Sequence, residues 1–208
     1  KKTVVIAGGS KVSDKIAILK QFVHTKVKAI FIGGKMVNAF LLAQNSKSKM
    51  KTFGISDIPG NLVSSSDEAN HNLVNEVSLA AEILDFAINK KVDLIFPQDY
   101  KCVNEFKSPK YFIKTKPNFE KELQLDLGPK TIESFKNTIL SDGIENIIWN
   151  GPLGAYDHPT NPDYIEGSLE LAQLLFEEAL TNHSFSVVIG GGDSAAILNK
   201  IEPNQLKN

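Results

Sequence analysis

The chain has 208 residues, 42% of them hydrophobic, which is enough to bury a core as one large domain or two small ones. Its formal net charge of −1 gives no electrostatic reason to expect nucleic acid or an anionic membrane as a partner, and no apolar run is long enough for a membrane span or a signal peptide. Because the single cysteine, Cys102, cannot form an internal disulfide, we expect a cytoplasmic protein.

Short β-branched runs alternate with amphipathic stretches along the chain. The predicted strands are TVVIA, AIFI, DLIF, NIIW and SVVI, which begin at residues 3, 29, 93, 146 and 186. Helices are predicted where apolar residues recur every three or four positions, at residues 13–24, 36–44, 70–90, 131–140 and 164–180. This order predicts an α/β fold with three layers, in which an open, mostly parallel sheet carries helices on both faces.

One segment breaks the alternation. Residues 107–125 contain two prolines, five lysines and no clean period, so we predict a loop or an irregular hairpin there rather than a linker between domains. We therefore expect residues 1–208 to form a single domain.

Four of the five predicted strands lead directly into glycine. The four loops, here called the glycine rim, are GGSK at residues 8–11, GGK at 33–35, NGP at 150–152 and GGGD at 190–193. In open α/β sheets, ligands bind beyond the carboxyl ends of the strands. One such loop can be merely a tight turn, but four on one edge expose backbone N–H groups and helix N-termini, which together bind anions.

The charged residues at the rim narrow the class of ligand. All 23 basic residues are lysines, so an anion site must use lysine, backbone N–H groups or a metal ion. Lys11 and Lys15 could both reach a phosphate. Because a lysine in a first helical turn is unfavourable with respect to the helix dipole, Lys15 indicates a bound anion, with a chance surface position as the less favoured alternative. Asp193 is either a helix N-cap or a ligand for a Mg²⁺ ion that stands between it and phosphate. The residues themselves predict a phosphate-rich ligand, most simply a nucleotide with Mg²⁺.

Neither of two known nucleotide-binding motifs accounts for the glycine rim. GGGDSA at residues 190–195 formally satisfies the G-x-G-x-x-A fingerprint of nicotinamide-dependent oxidoreductases. That fingerprint belongs to a first βα turn and needs an acidic residue about 20 positions later, whereas here the chain runs out, so we disfavour it. GGSKVSDK lacks the spacing of a Walker A loop.

Five blocks in order carry a more specific resemblance. AGGSKVSDK, IFIGGKMVNAF, LDLGPKTIE, IIWNGPLGAYD and VVIGGGDSAA extend from residue 7 to residue 196. Together they resemble the nucleotide-binding, Rossmann-like C-terminal domain of the phosphoglycerate kinase family. The resemblance implies a glycolytic kinase that reversibly transfers a phosphoryl group between 1,3-bisphosphoglycerate and ADP, giving 3-phosphoglycerate and ATP with Mg²⁺.

The resemblance also implies residue roles. The nucleotide-contacting positions that it implies are Gly9, Ser10, Lys11, Lys15, Gly33, Gly34, Gly128, Asn150, Pro152, Asp157, Gly191, Gly192, Asp193 and Ser194. Of these, Lys11 and Lys15 would be the catalytic lysines, on the nucleotide phosphates and the moving γ-phosphoryl group. Asp193 would bind the metal, and Asp157 stands where the family has a ribose-binding Glu.

Other implied roles concern the base and the phosphates. Gly33, Gly34 and Gly128 would line the adenine pocket, and Asn150 with Pro152 would border the triphosphate and ribose. The N–H groups of the glycines at 191 and 192 would bind phosphate, and the hydroxyl at position 194 stands where the family commonly has Thr. Lys35 departs from the small residue usual beside the adenine loop.

The resemblance covers the nucleotide half of a two-domain kinase, truncated at both ends. The phosphoglycerate site would lie in an N-terminal domain outside this sequence, so we expect the isolated chain to be inactive. The resemblance also implies a monomer. The alternative is a stand-alone nucleotide-binding module that does not catalyse.

Overall fold

The computed structural model describes residues 2–48, 52–59, 62–115, 122–141, 143–158 and 162–194. The helices and strands within them, in chain order, are β1 (Thr3–Ala7), α1 (Ile16–His24), β2 (Ala29–Ile32), α2 (Val37–Ser48), α3 (Asp67–Lys90), β3 (Asp93–Ile95), β4 (Tyr100–Val103), β5 (Phe112–Lys114), β6 (Leu123–Leu127), α4 (Pro129–Ile139), β7 (Asn146–Asn150), α5 (Glu166–Thr181) and β8 (Ser186–Gly190). Short 3₁₀ turns lie at Ile55–Asp57 and Pro162–Ile165.

The main sheet contains all five predicted strands, in the order β3-β2-β1-β7-β8, and every neighbouring pair is parallel. The first strand of the chain is central: Ile6 lies opposite Phe31 on one side and Trp149 on the other. Because the strands are parallel, their carboxyl ends meet at one edge of the sheet. The predicted mostly parallel sheet is confirmed.

Helices cover both faces of this sheet. Alternate residues of a strand point to opposite faces, so Val5 and Ala7 join the core under α1, α2 and α3. Val4 and Ile6 join the core under α4 and α5, where Phe31 stacks on Phe135 with ring centroids 4.0 Å apart. The predicted three layers are confirmed.

A second, three-stranded antiparallel sheet, in the order β5-β4-β6, was not fully predicted. Residues 107–125 were predicted as a loop or an irregular hairpin, and residues 116–121 of this segment lie outside the described residues. The segment contains β5 and the start of β6, but these two strands pair with β4 rather than with each other, and β4 was missed. The physical reason is Lys101, a charged residue at the centre of β4 whose side chain is only 6% exposed. Its ammonium group pairs with Asp126 and Glu166, which are distant in sequence.

All five helices start one to three residues away from the predicted position. α2, α3 and α4 begin at residues 37, 67 and 129 rather than at 36, 70 and 131. α1 begins at Ile16 rather than at residue 13, because residues 12–15 form turns. α5 begins at Glu166, after the 3₁₀ turn, rather than at residue 164. Within the described part of the chain, no helix is long and apolar enough to cross a bilayer.

Candidate functional site

Three loops of the glycine rim are tied together by backbone hydrogen bonds at the carboxyl edge of the sheet. The Gly9 N–H donates to the Pro152 carbonyl over 2.9 Å, and the Gly34 N–H donates to the Leu153 carbonyl over 3.0 Å. The Met36 N–H completes the set by donating to the Gly9 carbonyl over 3.1 Å. These three loops therefore form one connected backbone surface rather than three separate turns.

These loops require glycine mainly because atoms of a neighbouring loop lie where a Cβ would be. Gly34 and Gly151 have φ angles of +68° and +96°, which side chains rarely adopt. A Cβ at Gly34 would lie 2.5 Å from the Gly9 carbonyl oxygen, and one at Gly151 would lie 2.2 Å from the Gly8 carbonyl oxygen. At Gly192, by contrast, an added Cβ meets nothing within 4 Å. Only the fourth loop leaves space that the described protein does not fill.

A cleft of about 540 Å³ lies between the rim and the small sheet. The predicted site residues that line it are Gly9, Ser10, Gly34, Pro152, Asp157 and Asp193. Its other walls are largely apolar, formed by Leu62, Tyr100, Phe106, Leu123 and Leu125 among others. The sequence did not indicate these apolar residues, because most of them follow or belong to strands of the small sheet.

Two of the glycines predicted to line an adenine pocket do not line this cleft. Gly33 packs against Leu153, whose Cδ2 would lie 2.4 Å from an added Cβ. Gly128 precedes α4 and packs against Asp99, whose carboxylate accepts hydrogen bonds from the first turn of that helix. Of the three predicted glycines, Gly34 alone is part of the cleft wall.

Lys15 and Asn150 connect the first loop of the rim to the third. The Lys15 ammonium group donates a hydrogen bond to the Asn150 side-chain oxygen. Lys15 directly precedes α1, whose first turn has no acidic residue, so its ammonium group lies near the positive end of the helix dipole. Lys11 is exposed nearby and is not part of the cleft wall.

Asp193 and Tyr156 meet across the mouth of the cleft. The Tyr156 hydroxyl donates to Asp193 Oδ1 over 2.9 Å, and this hydrogen bond raises the pKa of the tyrosine. The N-cap alternative for Asp193 does not fit, because residues 192–194 are already helical. The fourth loop is fixed to the third through Ser194, whose buried hydroxyl accepts from the Gly151 N–H over 2.7 Å. Gly191 and Gly192, which directly precede Asp193 in the fourth loop, are exposed.

The single carboxylate of Asp193 suits a cation that is bound partly by a ligand, rather than a metal centre formed by protein side chains alone. Among the described residues, no group of three carboxylate, imidazole or thiolate side chains is placed to hold a metal ion. Mg²⁺ is commonly held by one or two carboxylates together with substrate phosphates. One exposed carboxylate beside an open glycine loop fits that pattern.

Glu76 on α3 is a further residue at the rim, and nothing in the sequence indicated it. Its carboxylate accepts hydrogen bonds from the backbone N–H groups of Val12 and Ser13, the latter over 2.9 Å. The sequence predicted in general that helix N-termini at the rim expose N–H groups to an anion. Just before α1, the chain's own Glu76 carboxylate binds these two N–H groups.

Comparisons with known proteins agree with one another. A family model described as phosphoglycerate kinase matches residues 1–207. The chain is 33% identical to the phosphoglycerate kinase of Thermosipho africanus over 206 residues, covering 96% of this chain and 44% of that relative. It is 35% identical to that of Lactobacillus johnsonii over 196 residues, covering 93% and 40%.

Solved structures give the same result at the level of the fold. Phosphoglycerate kinase from Coxiella burnetii superposes with a TM-score of 0.71 at 27% identity, covering 96% of this chain and 44% of that one. The Pyrococcus horikoshii enzyme gives 0.69 at 20% identity, with 97% and 44% covered, which shows a shared fold. The chain thus spans less than half the length of these similar proteins.

Proposed function

The chain belongs to the phosphoglycerate kinase family, and we propose that it is the C-terminal, nucleotide-binding domain of such a kinase. In the complete protein it would supply the Mg-nucleotide site for reversible phosphoryl transfer between 1,3-bisphosphoglycerate and ADP, giving 3-phosphoglycerate and ATP in glycolysis. The observation that carries the proposal is the cleft, which has an apolar wall on one side and residues of the glycine rim on the other, with the Lys15 ammonium group held at the rim by Asn150.

These two sides suit the two ends of ADP. The apolar wall would take the base, and Asp157, exposed in the same cleft, would receive the ribose hydroxyls. Lys11 and Lys15 would neutralise the phosphates, and the exposed N–H groups of Gly191 and Gly192 would bind phosphate oxygens. Phosphoryl transfer depends mainly on positioning and charge neutralisation, which such groups provide.

Magnesium would enter with the nucleotide, and when bound it would neutralise phosphate charge. Asp193 is the residue proposed to hold it. Asn150 keeps the Lys15 ammonium group at the rim, and the Ser194 hydroxyl keeps the fourth loop beside the third. In this proposal both polar side chains position the groups that touch the phosphates.

The second substrate would bind elsewhere in the complete protein. Because the chain spans less than half the length of its relatives, we propose that the phosphoglycerate site lies on the other half and that this chain alone, a monomeric single domain, does not catalyse. A cytoplasmic location is supported by the single, buried thiol of Cys102. A stand-alone nucleotide-binding module is the alternative. A nicotinamide site is disfavoured because the fingerprint-like loop follows β8, not the first strand.

Titration calorimetry with ADP, with and without Mg²⁺, tests the nucleotide site. We expect the unmutated chain to bind ADP more tightly with Mg²⁺, and Asp193→Ala to lose that difference. Lys15→Ala should bind roughly tenfold more weakly, because a charge-assisted contact is lost. Lys20→Ala is the matched control, since Lys20 lies on α1, which Lys15 directly precedes, and pairs with Glu82 at the surface. Absence of ADP binding by the folded, unmutated chain would contradict the proposal.

Tyr156→Phe is expected to strengthen the Mg²⁺ dependence of ADP binding by a few fold. The phenol hydroxyl donates to the carboxylate proposed to hold the metal, so its removal leaves an oxygen of Asp193 without a competing donor. The difference in ADP affinity with and without Mg²⁺ should therefore increase. Tyr111→Phe removes a hydroxyl that does not line the cleft and serves as the control. A smaller Mg²⁺ effect in Tyr156→Phe would instead mean that the hydroxyl orients Asp193 for the metal.

A further inference from the structure

A side chain from α3 binds the loop that carries Lys11 and Lys15. Glu76 reaches this loop from 63 residues further along the chain, and one carboxylate oxygen, Oε2, accepts from both Val12 N–H and Ser13 N–H. Among the described residues, Glu76 forms no ion pair. Its contacts are therefore to the backbone of the loop.

The position of this contact links it to the lysines. Val12 is fully buried in the core beneath the sheet, and its carbonyl accepts the Lys15 N–H over 2.9 Å. Lys11 directly precedes the turn formed by residues 12–15. Lys15 is the last residue of that turn, and its ammonium group donates a hydrogen bond to the Asn150 side-chain oxygen. The conformation of residues 12–15 therefore sets the backbone positions from which the Lys11 and Lys15 side chains extend toward the rim.

Two backbone donors need a partner in this turn. Residues 12–15 precede the first regular turn of α1, so the N–H groups of Val12 and Ser13 have no acceptor within that helix. A carboxylate that accepts both is a charge-assisted cap, and such bonds are stronger than bonds between neutral groups. Its removal would leave two donors unsatisfied in a part-buried loop.

We propose that Glu76 is a positioning residue for the phosphate side of the nucleotide site. It fixes the turn so that Lys11 and Lys15 face one ligand, and it occupies the two N–H groups that would otherwise attract phosphate to the start of α1. Phosphate is thereby left to the ammonium groups and to the fourth loop of the rim. The inference rests on the proposed nucleotide-binding function.

Calorimetric titration with ADP tests the inference on the whole chain. Glu76→Ala and Glu76→Met both lack an acceptor, and Met keeps the length and apolar stem of the side chain. Each should bind ADP roughly tenfold more weakly than the unmutated chain, a loss equal to about one hydrogen bond. Glu76→Gln should bind within about twofold of the unmutated chain, because its amide oxygen accepts the same N–H groups.

Glu82→Ala is the matched control. Glu82 lies on the same helix and reaches α1 at its surface, where it pairs with Lys20 over 2.6 Å. Circular dichroism and urea unfolding would establish that each variant is folded before its titration. Glu82→Ala should leave the ADP affinity unchanged, which separates the cap from a general loosening of the contact between α1 and α3.

Three results would overturn the inference while leaving the proposed function intact. The first is unchanged ADP affinity in both folded variants that lack the acceptor. The second is Glu76→Gln binding as weakly as Glu76→Ala, which would assign the effect to charge. The third is an equal loss in Glu82→Ala. Absence of ADP binding by the unmutated chain is a different outcome, which would overturn the proposed function and the inference with it.

Discussion

Gly151→Ala is expected to lower the free energy of unfolding of this chain by about 3 kcal/mol or more. Two costs add here: a φ angle of +96°, which side chains rarely adopt, and a new Cβ 2.2 Å from the Gly8 carbonyl oxygen. The second contact is with backbone, which cannot rotate away as a flexible side chain could. Relief would require separating β1 and β7, which are hydrogen-bonded neighbours at the centre of the sheet.

Gly192→Ala is the matched control for this prediction. Its backbone is already helical, and the added methyl group meets no atom of the described residues within 4 Å. Its free energy of unfolding should therefore stay within about 1 kcal/mol of the unmutated value. If this glycine makes room for phosphate, as proposed, Gly192→Ala should still weaken ADP binding. Urea unfolding and calorimetry measure the two effects, and equal stability of the two variants would contradict the assignment of Gly151 to loop packing.

The parallel sheet could be predicted because its strands carry their own signal. TVVIA and NIIW are apolar, β-branched runs that end at glycine or asparagine, and both are buried between neighbours. β4 carries no such signal, because Lys101 at its centre is stable there only through partners contributed by β6 and α5. Contacts between residues so far apart in sequence cannot be read from local composition.

The candidate site was predictable to a similar extent. The sequence placed glycine loops on one edge of the sheet, but it could not distinguish a glycine that meets backbone, such as Gly151, from one that faces open space, such as Gly192. That difference depends on the distance between loops, which only the folded chain sets. The same is true of Glu76, which in sequence is one polar residue on the outer side of an amphipathic helix.

The titration of Asp126 gives the second large effect. This carboxyl lies on β6 beside the cleft and is fully buried. Its Oδ2 accepts from the Gly167 N–H over 3.1 Å and lies 3.8 Å from the Lys101 ammonium group, while Oδ1 has no hydrogen-bond partner among the described residues. Burial raises the pKa of Asp126 to about 7, and the N–H group and Lys101 oppose this rise only in part.

Lys101 stabilises the Asp126 carboxylate weakly because its closer partner is Glu166. Burial disfavours the charge on Lys101, but the hydrogen bond to Glu166 and the charges of Asp126 and Glu166 outweigh it and raise the lysine pKa. The lysine therefore stays charged near neutral pH. Because the Lys101 ammonium group lies 3.8 Å from Asp126, it stabilises the ionised carboxylate less than the loss of hydration destabilises it. The pKa of Asp126 is therefore raised.

Stability should therefore fall as the pH rises from about 4 to about 7. An unfolded aspartate has a pKa of about 3.9, so between about pH 4 and pH 7 the folded chain holds a proton at Asp126 that the unfolded chain has lost. The contribution of this group is fully present below about pH 4 and is lost as the pH passes through about 7. The loss approaches about 1.4 kcal/mol per pH unit within that window, a few kcal/mol in all.

Asp126→Asn should remove most of this decline, because an amide is neutral at every pH in the window and its oxygen can still accept from the Gly167 N–H. Urea unfolding at pH 5, 6, 7 and 8 measures the effect, with the variant expected to be about 2 kcal/mol more stable than the unmutated chain at pH 8. Asp85→Asn, which changes an exposed carboxylate paired with Lys47, should keep the original pH dependence. If Asp126→Asn were instead less stable at pH 8, the carboxylate would be favourable in its ionised form, and Lys101 would have to compensate its burial more completely than the 3.8 Å separation indicates.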